Sequence, residues 1–244
     1  MTLTDNTLLI TGASSGIGHA LATRFAELGN TVIAVGRNQA VLTKLATGSA
    51  AIHPVVCDLS NPQDVEQLVI TVEQRFPTLN VLINNAGIQY NYDFAEASGQ
   101  MSRISHEINV NLTAPVQLTA LLLPHLLTRP EAAVVNVSSG LGLVPKRSAP
   151  VYCATKAGLH LFSKALGYQL AGTSVRVMEV IPPLVDTPMT AGRGRGKISP
   201  EQLVDEFLRG FARNQPEINI GKVGLLRLIQ RLSPALADRI LRNG

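Results

Sequence analysis

The chain has no tryptophan, four tyrosines, six phenylalanines and only two cysteines. Aromatic residues at 4% are too few to stack bases, and no dense Lys/Arg cluster is interleaved with them. With a net charge of only +4, no nucleic-acid partner is expected. Cys57 and Cys153 form no disulfide framework and no CxxC spacing, and His53, His106, His125 and His160 show no metal-ligand spacing, so no metal is expected. The N-terminus has no charged segment followed by an apolar run and a cleavage site, so no signal peptide is read and a reducing cytoplasm is the expected compartment. Val110 to Leu127 is apolar, but Asn111, Thr113, Pro115, Gln117, Thr119, Pro124 and His125 interrupt it. It reads as a buried or subunit-facing helix, not as an integral membrane segment. There is no internal repeat, low-complexity tract or interdomain linker. Apolar residues are abundant at 45%, enough for the core of one domain over residues 1–244.

The first residues carry the clearest local pattern. Thr7 to Thr11 is a short apolar run that ends in Thr11-Gly12-Ala13-Ser14-Ser15-Gly16-Ile17-Gly18. Leu21, Phe25 and Leu28 then recur at helical spacing, Gly29 stops the helix, and Thr31 to Val35 is β-branched. Strand, glycine loop, helix and strand form a βαβ unit whose glycines let the backbone approach a pyrophosphate at a helix N-terminus. An NAD-binding unit usually has an acid at the end of the second strand, but here Gly36 is followed by Arg37. A guanidinium suits a ribose 2′-phosphate; the other reading is a solvated loop arginine.

Ile52 to Cys57 reads as a third strand, followed by Asp58-Leu59. Asp58 suits an adenine amine or the cap of the helix from Pro62 to about Phe76, although Ser60 or Asn61 is better placed as the cap. A fourth strand, Asn80 to Ile83, ends in Asn84-Asn85-Ala86-Gly87, which fits a cofactor crevice or an ordinary turn. One long helix is expected over Met101 to Leu127, with Asn111 as a buried amide in need of partners. Ala132 to Val137 is a fifth strand delivering Ser138 and Ser139, and Ser174 to Ile181 a sixth ending in Pro182-Pro183. Residues 182–199 read as a flexible substrate loop, in which Arg193, Arg195 and Lys197 meet an anionic group or are simply solvated. Helices are expected over Glu201 to Arg213 and Gly221 to Leu232, the second beginning a helical tail over residues 221–242. Its apolar side suits packing on its own domain or a partner, ahead of a membrane surface.

Tyr152 and Lys156 lie four apart in a helix running to about Ala171, hence on one face. A phenol has a pKa of about 10 and exchanges protons poorly at neutrality. An ammonium at roughly 4 Å, at an effective dielectric near 20, is worth on the order of 4 kcal/mol, or about three pKa units. The spacing also occurs by chance in many helices. Cys153 projects about 100° away around the helix and reads as a packing residue.

In order and spacing, Gly12, Gly16 and Gly18, then Asp58, Asn84-Asn85-Ala86-Gly87, Asn111, Ser139, Tyr152 and Lys156 resemble the short-chain dehydrogenase/reductase family along nearly the whole chain. The resemblance implies a single-domain α/β Rossmann fold: a doubly wound parallel sheet of six to seven strands flanked by helices, here with a helical C-terminal extension. It implies a catalytic set of Asn111, Ser139, Tyr152 and Lys156. Tyr152 would exchange the proton, and Ser139, preferred to Ser138 for its spacing, would bond the substrate oxygen. Lys156 would bind the nicotinamide ribose and lower the phenol's pKa, and Asn111 would hold a water behind it. Cofactor contacts are implied for Gly12, Ser14, Ser15, Gly16, Ile17, Gly18, Arg37, Asp58, Leu59, Asn85, Ala86, Gly87, Tyr152, Lys156, Pro182, Val185 and Thr187. The expected cofactor is NADP(H) ahead of NAD(H), the substrate a small carbonyl or secondary alcohol, and the assembly a homodimer or homotetramer.

The chain departs from the family where Pro183 stands in place of the usual glycine after the sixth strand; proline has no N–H and cannot take a positive φ. The family's late strand with its glycine pair also looks absent, replaced by the basic helical tail. The Pro-Pro-Leu-Val-Asp-Thr run and the Ile-Ser-Pro stretch are similar to a bacterial subgroup of DltE-like oxidoreductases. The expected activity is hydride transfer between NADP(H) and the carbonyl or alcohol. The alternative is a catalytically silent NADP(H)-sensing regulator, suggested by Pro183 and the tail.

Overall fold

Leu8 and Ile10 face one way out of the first strand and Leu9 the other, and all three are fully buried. A strand with both faces covered belongs in a parallel sheet between two helical layers. The computed structural model, which describes residues 1–96 and 99–242, shows that arrangement. Seven strands form one sheet: β1 (Thr7–Thr11), β2 (Thr31–Gly36), β3 (Ile52–Val56), β4 (Val81–Asn84), β5 (Ala132–Val137), β6 (Val175–Ile181) and β7 (Glu217–Asn219). Their spatial order is β3-β2-β1-β4-β5-β6-β7, and every neighbouring pair is parallel. The order reverses between β1 and β4, which opens a crevice at the strands' carboxyl ends.

On one face lie α1 (Gly16–Glu27), α2 (Gln39–Thr47) and α7 (Pro200–Ala212). Phe25 of α1 sits edge-on to Phe207 and Phe211 of α7, with ring centroids 6.2 and 5.7 Å away. The other face carries α3 (Pro62–Arg75), α5 (Ala114–Leu127) and α6 (Pro150–Gln169), which bury Val65, Leu118, Leu122 and Leu166. Asn61 caps α3, its side chain accepting from Gln63 N–H at 3.1 Å ahead of Pro62 at the first helical position.

One expectation needs correction. The late strand exists: β7 pairs with β6 in the register Glu179↔Glu217. At three residues, with Glu and Asn at its ends, it carries no alternating apolar signal. The long helix over Met101 to Leu127 is present as expected, made of α4 (Met101–Ile108) and α5 with a π-turn at Asn109–Thr113 between them. By length and composition alone it is apolar enough to cross a membrane, but its inner face packs Leu118, Leu122 and Leu126 into the core. The tail is two helices, α8 (Val223–Leu232) and α9 (Pro234–Leu241), broken at Ser233-Pro234.

Candidate active site

The crevice is a cleft of about 590 Å³ along the carboxyl ends of β1 to β6. Each strand delivers one short segment to it. The turn from β1 into the start of α1 contributes Gly12, Ser14, Ser15, Gly16 and Ile17, β2 leads to Arg37, and β3 leads to Asp58 and Leu59. Asn85, Ala86 and Gly87 follow β4, Ser139 follows β5, and Pro182, Val185 and Thr187 follow β6. Tyr152 and Lys156 reach in from α6.

Two residues named from the sequence do not line the cleft. Gly18 lies beneath the loop, where a Cβ would stand 2.3 Å from the Gly12 carbonyl oxygen and 2.5 Å from the Asn85 side chain. Its part is to let α1 close onto the β1 end. Gly16 does line the cleft, at φ +53°, and a Cβ there would stand 2.8 Å from Thr187 Cγ2. A side chain would fill the cradle and join its two walls. Asp58 accepts from the Ser60 N–H at 2.9 Å and hydroxyl at 2.8 Å. Burial works to raise its pKa, but these bonds and the nearby Arg37 charge hold it below the usual carboxylate value.

Asn111, the second residue outside the lining, sits in the π-turn with no exposed surface. Its Oδ1 accepts from Ile88 N–H at 2.8 Å, and its Nδ2 donates to Ile88 C=O at 2.8 Å and to Thr155 Oγ1 at 3.3 Å. Of the two expectations for this amide, backbone pinning is the one the coordinates display. Gly87 lies between Asn111 and Lys156, a Cβ there falling 3.5 Å from Asn111 Oδ1 and 3.6 Å from Lys156 Nζ.

Tyr152 and Lys156 share the inner face of α6, 8% and 3% exposed. Lys156 Nζ donates to the Val137 carbonyl at 2.8 Å and lies 5.8 Å from the centroid of the Tyr152 ring. The expectation that this ammonium draws the phenol towards neutrality is not met. Burial pushes Tyr152 up to about 12, against a downward pull from the neighbouring Ser139 hydroxyl. Burial brings Lys156 itself down to about 8. Both groups have lost water, and desolvation outweighs an attraction over that distance. Ser138, the alternative to Ser139, hydrogen-bonds Glu179 instead. Ser139 faces the phenol and accepts from Leu141 N–H at 3.1 Å.

Sequence reasoning missed two buried acids. Glu107, one helical turn before Asn111, accepts from Tyr90 N–H at 3.1 Å and from the Tyr92 hydroxyl at 2.8 Å. Burial raises its pKa, and its charge adds to the upward push on Tyr152. Asn111 and Glu107 together tie residues 88–92 down beside the cleft. Glu179, in the middle of β6, bonds Ser138 and His160 Nδ1, the latter at 2.7 Å, and its charge draws Lys156 upward against burial. A lone acid amid apolar neighbours was the available signal for Glu179, whereas Glu107 lies in the polar stretch Ser105-His106-Glu107 and gave none. Glu217 stands with His160 and Glu179, their candidate ligand atoms within 4.8 Å of one another. Arg227 closes on Glu217, so the cluster is arranged as a chain of ion pairs and hydrogen bonds.

The loop after β6 carries bonds within itself. Val185 and Ile198 form a bridge, and Lys197 Nζ bonds Asp186 at 3.1 Å and Thr190 C=O at 2.8 Å. Lys197 is therefore engaged inside the loop, whereas Arg195 lines the cleft. The tail closes the same end. Val223, Leu226, Ile240 and Leu241 line the cleft, Gln230 Nε2 donates to Leu143 C=O at 2.5 Å, and Arg147 N–H to Arg242 C=O at 3.0 Å.

A doubly wound parallel sheet with a glycine-lined cleft, ending at a buried tyrosine-lysine pair, is the architecture of a dinucleotide-dependent oxidoreductase. The family model for short chain dehydrogenase matches residues 6–197, and the chain belongs to that family. It is 45% identical over 234 residues to DltE of Bacillus subtilis (strain 168), described as an uncharacterized oxidoreductase, covering 93% of this chain and 92% of that protein. A short-chain dehydrogenase from Sphingobium yanoikuyae in complex with NADPH superposes with a TM-score of 0.81 at 29% identity, covering 96% of this chain and 94% of that one. Another, from Burkholderia cenocepacia J2315 in complex with NADP, gives a TM-score of 0.87 at 25% identity, covering 99% of each chain. The expectation of a DltE-like family member holds, and the regulatory alternative gains no support from these comparisons.

Proposed function

We propose that the protein is an NADP(H)-dependent reductase or dehydrogenase acting on a carbonyl or secondary alcohol, with Ser139, Tyr152 and Lys156 as its catalytic residues and Asn111 as a positioning residue. The observation that carries this reading is the convergence of the Ser139 hydroxyl, the Tyr152 phenol and the Lys156 ammonium at one end of a cleft whose other end is glycine-lined. That cradle suits a dinucleotide: Gly16 leaves open space a side chain would fill, and the N-terminus of α1 favours a pyrophosphate. Arg37, beside Gly36 at the end of β2, supplies the cation for a 2′-phosphate, and no acid there repels one. Asp58, kept ionised, suits the adenine amine.

When bound, the nicotinamide supplies the hydride. The protein's part is to stabilise the charge that builds on the carbonyl oxygen. Ser139 donates one hydrogen bond, and Tyr152 donates another and releases its proton. A phenol held at about 12 is fully protonated at neutral pH, which suits the donor role in reduction. Lys156 places a positive charge below the phenol, and Asn111 holds Ile88 and Gly87 against that lysine. Ile108, Leu121, Leu127, Leu161 and Tyr168, exposed on α4 to α6, offer an apolar face for a second copy, consistent with a homodimer.

The test is to incubate the protein with NADPH or NADH and a panel of aldehydes and ketones, following nicotinamide absorbance. Consumption of NADPH in preference to NADH is expected. Tight NADPH binding with no turnover on any carbonyl would sink the enzymatic reading.

A further inference from the structure

The two tail helices cover the cleft with one side and leave the other uncovered. Leu225, Leu228 and Leu232 of α8 are 57%, 53% and 74% exposed, and Leu236 of α9 is 45% exposed, with Ile240, 48% exposed, at the border where this side meets the cleft. The spacings i, i+3, i+7 and i, i+4 align each set along one side of its helix. Only Val223 of α8 and Ala237 of α9 are buried, so most of the apolar surface of this pair is unspent on the core.

The charge of the molecule is concentrated in the same place. Beyond Gly221 the chain carries Lys222, Arg227, Arg231, Arg239 and Arg242 against the single acid Asp238, a net charge of +4. That equals the net charge of the whole protein, so the residues before it balance at sixteen cations and sixteen acids. Arg227 is paired with Glu217, but Lys222, Arg231, Arg239 and Arg242 are exposed and make no ion pair among the described residues.

We infer that α8 and α9 form an amphipathic surface by which the protein docks onto an anionic lipid bilayer, with the leucines entering the headgroup boundary and the free cations meeting lipid phosphates. Exposed leucines beside cations are the composition of an interfacial helix. A second copy of this chain is the poorer occupant, because a symmetric contact would set each net +4 tail against another. The inference stands apart from the proposed activity, since none of the leucines and arginines altered below lines the cleft.

The test is sedimentation of the full-length protein with vesicles of phosphatidylcholine alone or with roughly one-third phosphatidylglycerol, at low and high salt. Binding to the phosphatidylglycerol vesicles, weakened by salt and by their omission, is expected. Arg231→Gln with Arg239→Gln should weaken it about 10- to 30-fold, and Leu228→Ser with Leu232→Ser should abolish it. NADPH binding should be unchanged in both, which also shows that each variant is folded. No binding to phosphatidylglycerol vesicles at low salt, equal binding to phosphatidylcholine alone, or full binding by the arginine variant would each overturn the inference. So would a leucine variant that changes oligomeric size by gel filtration without changing vesicle binding, which would assign the face to self-association.

Discussion

The two ends of the cleft are made of different materials. At the end proposed for the dinucleotide the wall is backbone and small side chains: Gly12, Ser14, Ser15 and Gly16 after β1 and Ala86 after β4. Its ionised groups, Arg37 and Asp58, sit near the rim, and the Asp58 carboxylate is stabilised locally by Ser60. At the end proposed as catalytic the wall is long side chains with ionisable groups withdrawn from water: Tyr152, Lys156 and, behind them, Glu107 and Glu179. The first end recognises charge at little cost in desolvation. The second holds groups whose proton affinities burial has displaced, the condition that suits acid-base chemistry.

The sharpest way to break that contrast is to remove a single oxygen. Tyr152→Phe keeps the ring and its packing and deletes the proton donor. Carbonyl reduction should fall about 10²- to 10⁴-fold while cofactor binding, followed by fluorescence, is retained. Activity within a few-fold of wild type would show that proton transfer lies elsewhere.

The next effect is on stability. Lys156 falls from 10.5 to about 8 on folding, so the unfolded chain binds the extra proton between those values. Below about 8 both states are charged and the burial penalty is fully present. As pH rises from about 8 to 10.5 the folded state alone releases its proton, and stability rises. Relative to Lys156→Met, the wild type should gain about 3 kcal/mol across that window, read from denaturant unfolding at a series of pH values. A gap between the two proteins that does not change with pH would mean that the ammonium is not desolvated.

At the other end of the cleft, Arg37→Ala should weaken NADPH about 10- to 100-fold, the value of one or two charge-assisted hydrogen bonds, and change NADH by no more than about threefold. Equal losses for both cofactors would remove Arg37 from a phosphate site.

The same contrast explains what could be read from the chain alone. The βαβ unit and the loops it positions depend on residues close in sequence, so Gly12 to Gly18 announced themselves. So did Tyr152 and Lys156, one helical turn apart. Glu179 did not, because its partners Ser138 and His160 lie just after β5 and on α6 and meet it only through the fold. Strand β7 was invisible for a similar reason: three residues carry no period, and only their hydrogen bonds to β6 make them a strand. The pKa argument for Tyr152 had the right neighbours and the wrong balance. Spacing gives the approach of two groups, but desolvation depends on everything packed over them, and that is set by residues distant in the chain. The C-terminal tail read as helical, and its break at Pro234 follows from the sequence, but which side faces the cleft does not.

The smallest predicted effect tests whether Glu179 acts on the chemistry or only on the fold. Its carboxylate pulls the Lys156 pKa upward against burial, through a network shared with Ser138 and His160. Glu179→Gln preserves shape and most hydrogen bonding while deleting that pull, so Lys156 should lose its proton at lower pH. In the reductive direction the alkaline limb of the rate profile should move down by a few tenths of a pH unit, with KM for the carbonyl little changed. Glu107→Gln serves as the counterpart, because the Glu107 charge pushes Tyr152 up and its removal should ease phenolate formation in the oxidative direction. A purely structural role for either acid would lower stability and leave the pH profile where it was, so a downward move of the alkaline limb of reduction in one variant and of the acid limb of oxidation in the other would mark the proposed catalytic end as electrostatically tuned from two sides.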